Sequence, residues 1–213
     1  MELYSFVVNH QYDTNMYVVV SCDGQCAIID PACVWEDKLE VLKKFIEDKD
    51  LRPVWLISTH GHFDHVIGNA LVCKTWPVKN AAHRGDLPLM EDLQRKDQMF
   101  EASNSLPTID VFLEDGDCVT FGDDVSLQVL HIPGHSPGSI ALYSPEQKWI
   151  ISGDTLFRGS VGRTDIPFGN YDLLIDSIKK KMLTLPPETV VYPGHGPKTS
   201  IEWESKYNPY LKI

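Results

Sequence analysis

The chain has 213 residues, 43% hydrophobic and 23% charged, with a formal net charge of −11. That length and apolar share suit one well-buried domain over 1–213, and no stretch has the composition of a linker. The longest basic run is Lys179-Lys180-Lys181, which argues against nucleic acid as a partner, and no apolar run reaches the length of a membrane span.

Taken in chain order, residues 3–8, 16–21 and 26–30 are rich in Val, Ile and Tyr and predict a β-meander. Residues 36–50 carry Leu39, Leu42, Phe45 and Ile46 at helical spacing, which predicts an amphipathic helix ended by Pro53. Residues 53–58 are apolar and partly β-branched, as in a buried strand; 66–72 predict a helix and 78–82 a short strand. Residues 83–106 turn polar, with Leu89, Leu93 and Phe100 hinting at helix between Pro88 and Pro107; they form either a lid beside a cleft or plain surface. Strands follow at 118–121, 125–131, 139–143 and 148–152. A helix over 171–184 then presents Leu174, Ile178 and Met182 on one face and stops before Pro186-Pro187, and a strand at 189–192 comes last. Meander, helix and strand thus occur twice in the same order, a layered α/β plan with two sheets and a helix outside each.

The start of the chain has no basic region leading into an apolar run, so no secretory signal is read and the cytoplasm is the expected compartment. Five cysteines, an odd number without a Cys-x-x-Cys pair, point to reduced and buried thiols.

The chemistry concentrates in Thr59-His60-Gly61-His62-Phe63-Asp64-His65, where four metal-ligand types fall within six residues at the end of a predicted buried strand. Three later strand-like runs each end in another ligand type, at His135, Asp154 and His195. A glycine precedes each of them and permits the turn that aims the side chain. Five imidazoles and two carboxylates exceed one tetrahedral site and suit two divalent metals roughly 3.5–4 Å apart. Zinc leads among the ions, with iron or manganese also matching these donors.

His-x-His-x-Asp-His with the separate His135, Asp154 and His195 resembles the metallo-β-lactamase fold superfamily along essentially the whole chain. Gly153-Asp154-Thr155-Leu156-Phe157, Gly162-Arg163-Thr164-Asp165 and Tyr192-Pro193-Gly194-His195-Gly196 resemble its short, glyoxalase II-like hydrolases. The resemblance implies a four-layer αββα sandwich with metals at one edge of the sheets. It implies His60, His62 and His135 on a first ion; Asp64, His65 and His195 on a second; and Asp154 bridging them together with a hydroxide. That hydroxide would attack a thioester or ester carbonyl of a small anionic substrate. A thiolate leaves with little help from an acid, since its pKa is about 8.5. An amide would need a proton, for which Asp64 or a metal-bound water is the candidate. Many β-lactamases place cysteine where Asp154 stands, which weakens a lactamase reading.

Arg163 is the candidate grip on a substrate carboxylate, with an Arg163–Asp165 contact as the alternative. Thr59 and Asp165 are candidates to orient imidazoles. His131 is expected to pack or to support the site, and His83 and His10 to lie at the surface or cap. Full-length glyoxalase II enzymes carry a helical glutathione-binding domain after the last metal histidine. Only 18 residues follow His195 here, so selectivity for glutathione is in question. A second hypothesis is a persulfide dioxygenase with one iron on His60, His135 and Asp154; a third is a non-catalytic binding member of the fold. The oligomeric state is not legible.

Overall fold

The computed structural model of the chain describes residues 1–9, 12–33, 36–96 and 106–212. In order these form β1 (Glu2–Asn9), β2 (Thr14–Val20), β3 (Gln25–Ile29), α1 (Glu36–Asp48), β4 (Arg52–Ile57), α2 (Phe63–Val66), α3 (Asn69–Thr75) and β5 (Lys79–Ala82). A 3₁₀ turn (Arg84–Asp86) leads into α4 (Leu87–Lys96), then β6 (Val111–Phe112), β7 (Cys118–Phe121), β8 (Val125–His131), β9 (Ile140–Ser144) and β10 (Trp149–Gly153). The hairpin β11 (Leu156–Phe157) and β12 (Ser160–Val161) precedes α5 (Tyr171–Ser177), a π-helical turn (Ile178–Met182), β13 (Val190–Pro193), β14 (Thr199–Ser200) and α6 (Ile201–Tyr207).

Two six-stranded sheets result, ordered β1-β2-β3-β4-β5-β6 and β14-β13-β10-β9-β8-β7. The first is antiparallel from β1 to β3 and parallel from β3 to β6. The second has one parallel pair, β10 with β13, among antiparallel ones.

Alternation along the central strands sorts side chains into layers. On β2, Tyr17 and Val19 face the second sheet, while Met16, Val18 and Val20 face α1. On β9, Ile140 and Leu142 join that inter-sheet core, and Ala141 and Tyr143 pack toward α5 and α6. Because both faces are covered, these strands carry continuous apolar runs, 16–20 and 140–143, rather than alternating. α1 closes one side with Leu39, Leu42 and Ile46, spaced three and four apart. The outcome is the αββα sandwich that the resemblance implied.

Several segments depart from the predicted ones. The helix expected at 66–72 is divided into α2 and α3 by Gly68, where a Cβ would stand 1.9 Å from the Pro31 carbonyl oxygen. The helix expected over 171–184 changes to π-helical winding after Ser177 and keeps Ile178 and Met182 buried beside Leu174. Within 83–106, Pro88 sits in the first turn of α4, where no backbone donor is needed, and Met90 is buried against Val66 and Ile67. Residues 97–105 of that candidate lid lie outside the described residues, as does His10. Cys22 and Cys118 are exposed and Cys73 is half-buried, rather than all being buried as expected. Past His195 the chain pairs β14 onto β13 and docks α6, whose Glu204 is buried and accepts from Gly159 N and the Asn208 amide. No helix among the described residues is long and apolar enough to cross a membrane.

Candidate metal centre

The loop after β4, the start of α2, and the loops after β8, β10 and β13 meet at one edge of the sandwich. There the structure brings all seven predicted donors together. Ligand atoms of His60, His62 and His135 lie within 4.8 Å of one another, as do those of Asp64, His65 and His195. His62 Nδ1 stands 2.8 Å from His135 Nε2, and His65 Nε2 stands 3.3 Å from His195 Nε2. Asp154 lies between the two groups, 3.6 Å from His135 Nε2 and 3.4 Å from both His65 Nε2 and His195 Nε2. Among the described residues it is the carboxylate that reaches both.

The imidazoles are fixed from behind. His60 Nδ1 meets Thr59 Oγ1 at 3.1 Å, and that hydroxyl donates to Asp30 Oδ2 at 2.6 Å. His65 Nδ1 meets the same Asp30 oxygen at 2.9 Å. His135 Nδ1 donates to the Arg163 carbonyl at 2.8 Å and His195 Nδ1 to the Tyr12 carbonyl at 2.9 Å. With protons held on these Nδ1 atoms, four Nε2 lone pairs point inward. His60 Nε2 and Asp154 Oδ1 are buried and have no hydrogen-bond partner among the described residues. Buried polar atoms rarely stay unpaired, so these two are what a cation would satisfy. The donors therefore fit a pair of divalent ions. Asp30, His60 and His65 also cluster, but the Asp30 oxygens are taken up by Thr59 N, Thr59 Oγ1 and His65 Nδ1, so Asp30 acts as support.

Two tight approaches need glycine. A Cβ on Gly194 would fall 2.1 Å from Asp154 Oδ1, which explains the residue before His195; Gly68 serves the turn behind α2.

Charge is divided unevenly across the site. Burial pushes the His60, His62 and His135 pKa values down, His62 to about 4, so these imidazoles are neutral at pH 7. Burial also works against a charge on His65, but Asp154 and Asp30 outweigh it and hold that pKa well above normal. His195 is likewise opposed by burial yet raised to about 10 by its bonds to Asp154 and Asp64. Burial of Asp64 is in turn outweighed by His195 and His65, which pull it to about 2. Without metal, the adjacent His65 and His195 thus favour holding extra protonation at pH 7, which an incoming ion has to displace. Adding zinc to metal-free protein in dilute buffer at pH 7 is expected to release at least one proton per chain, and binding should tighten as pH rises. A pH electrode or indicator dye reads this directly, and zero release would mean that both imidazoles were already neutral.

Other predicted residues fall elsewhere. Arg163 is exposed, its Nε 3.0 Å from Asp165 Oδ1 and its Nη2 3.2 Å from Oδ2. Asp165 meets Arg163 and orients no imidazole among the described residues; the Arg163 carbonyl holds His135 instead. His83 caps the 3₁₀ turn by accepting from Gly85 N, and it stacks on His131 at 3.9 Å between ring centres. Sequence reasoning missed Asp30 and Asp86. Asp86 accepts from Gly61 N, Ser136 Oγ and Gly138 N, and so ties the His60–His62 loop to the loop after His135. Asp30 had a legible signal, an acid directly after the apolar run Cys26-Ala27-Ile28-Ile29, the same pattern that marked Asp154.

A family model described as "Metallo-beta-lactamase superfamily" matches residues 11–195, a span ending on the last of the seven donors. The chain belongs to this superfamily. Among superfamily relatives, "Hydroxyacylglutathione hydrolase GloC" of Haemophilus influenzae is 36% identical over 212 residues, covering 94% of this chain and 93% of that protein. "Probable metallo-hydrolase YqgX" of Bacillus subtilis is 36% identical over 203 residues and 92% of each chain. A crystal structure of TTHA1623 in a di-iron-bound form is 38% identical with a TM-score of 0.84, covering 98% of this chain and 100% of that one. A second solved superfamily structure, BLEG-1 B3 metallo-β-lactamase, is 31% identical with a TM-score of 0.86 over the full length of both chains.

Proposed function

We propose that this metallo-hydrolase superfamily member is a binuclear enzyme that cleaves thioesters of small anionic thiols, with zinc as the leading metal. The observation that carries the two-ion reading is Asp154, placed against donors of both trios with one buried oxygen that lacks a hydrogen-bond partner among the described residues. The di-iron form of TTHA1623 and the acylglutathione substrate in the name of the Haemophilus relative support it. Two bound cations would supply a water acidified to a pKa of roughly 7 and a stabilised oxyanion.

The chain's own part is orientation and charge. Thr59, Asp30, Arg163 and Tyr12 hold four rings so that their lone pairs converge. Asp64 accepts from Thr14 Oγ1 at 3.0 Å and contacts His195 at 3.1 Å, which commits it to the donor set rather than to proton delivery. A leaving group that departs as an anion suits such a site, and a thiolate does.

Arg163 is proposed to exchange Asp165 for a substrate carboxylate, a swap between two exposed partners that costs little. Arg163→Ala is then expected to raise KM about 3- to 10-fold with kcat nearly unchanged, because the backbone carbonyl on His135 survives the substitution. Unchanged steady-state kinetics would remove the guanidinium from the site.

The test of the function combines elemental analysis of purified protein with optical assays on a glutathione thioester and a β-lactam. Two ions per chain with thioester turnover support the proposal. Turnover of the β-lactam alone overturns the substrate class, and a single iron with oxygen uptake overturns the hydrolase reading in favour of the dioxygenase.

A further inference from the structure

The two candidate trios are held by different parts of the chain. The anchors of His60 and His135 are Thr59 and the Arg163 carbonyl, and β2 contributes to neither. The turn that carries His195 is held on one side by Gly194 N donating to the Gly153 carbonyl of β10 at 2.8 Å, and otherwise by the β1–β2 hairpin and β2. Asn15 N donates to the Gly194 carbonyl at 2.7 Å. The Asn15 side-chain amide spans the turn, donating to the Pro193 carbonyl at 3.0 Å and the Gly196 carbonyl at 2.9 Å. Tyr17 OH adds a second donor to Pro193 at 2.6 Å. One residue earlier, Thr14 forms an isolated antiparallel bridge with His195 and donates its hydroxyl to Asp64, another member of that trio. Two residues before Thr14, the Tyr12 carbonyl fixes the His195 tautomer.

Asn15 is buried, 7% exposed, and both of its amide contacts are carbonyl oxygens, so the orientation of the amide is determined: only the NH₂ group can face them. The turn itself has little internal hold. Gly194 and Gly196 flank His195, and Gly196 is in the left-handed region at φ +72°. A loop with that freedom stays in place through its external partners.

We infer that Asn15, assisted by Thr14, is a positioning residue for one ion only, setting the affinity of the Asp64–His65–His195 site and leaving the His60–His62–His135 site alone. β2 would thereby decide whether the chain holds one metal or two. This rests on the two-ion reading above.

The test is zinc binding measured by equilibrium dialysis and elemental analysis over a series of buffered free-zinc concentrations, with circular dichroism to confirm folding. Wild type is expected to bind two ions. Asn15→Leu, close in volume but without donors, should keep one ion at wild-type affinity and bind the other about 10–100-fold more weakly. Thr14→Val should show the same one-sided loss by a smaller factor, and it decides the question should Asn15→Leu not fold. Equal weakening of both ions would reveal a general structural role and overturn the inference, as would two unchanged affinities. A wild type that binds one ion overturns the two-metal reading, and this inference with it; a wild type with two ions and an indifferent Asn15 overturns the inference alone.

Discussion

Asp154→Asn is expected to fold and to lose thioester turnover by about a thousandfold or more, equivalent to about 4 kcal/mol at 1.36 kcal/mol per decade. The amide has nearly the same shape, so the loss isolates charge and lone pairs. Asp154 contacts His65, His135 and His195, and its pKa is held far below normal: burial opposes ionisation, but His65 and His195 outweigh it. An asparagine there presents one acceptor and one donor, so it can serve one ion at most and would aim N–H groups at the other. Both zinc affinities should therefore fall, in contrast to the one-sided loss at Asn15. Zinc content and turnover measured on the same sample check this, and an Asp154→Asn enzyme with two ions and normal rates would end the bridging role.

The second large effect is expected at Asp30, which touches no candidate ion. It is fully buried and accepts from Thr59 N, Thr59 Oγ1 and His65 Nδ1. In Asp30→Asn the amide NH₂ would donate toward His65 Nδ1, moving the imidazole proton to Nε2, where it faces the metal. Zinc affinity should drop about 10–100-fold from this tautomer change alone. Thr59 N keeps its oxygen acceptor, but the Thr59 hydroxyl loses its own, which adds about 1–3 kcal/mol of destabilisation, read as a fall in Tm of about 2–4 °C per kcal/mol for a chain of this size. A variant with unaltered Tm and unaltered zinc binding would show that Asp30 is dispensable.

The seven candidate donors could be picked out before any coordinates because they follow the ends of apolar strands, with His62, Asp64 and His65 carried on from His60 into α2. His60, His135, Asp154 and His195 share that placement. The layers were legible for a related reason: strands covered on both faces are mostly apolar, and β2, β3, β9 and β10 each carry a continuous apolar run. What escaped was support that runs between elements distant in sequence. Asn15 reads as an unremarkable strand residue, and its partners lie 178 and 181 positions away. Tyr12 acts through a carbonyl, which every residue possesses. The break at Gly68 answers to local crowding, since the neighbour there is a carbonyl from another loop. The short strands β6, β11, β12 and β14 have two residues each, too few for any periodicity to register.

Each trio draws donors from both sheets. His60 and His62 follow a strand of the first sheet and His135 one of the second; Asp64 and His65 likewise face His195 across the layers. A cation seated in either trio would act as a rivet through the sandwich, adding to the stability of the docked layers by mass action, about 2.7 kcal/mol at a hundredfold excess over Kd. Metal supply would then govern how long the protein survives heat and proteolysis as well as how fast it turns over. A cell starved of the ion would lose the protein along with its activity.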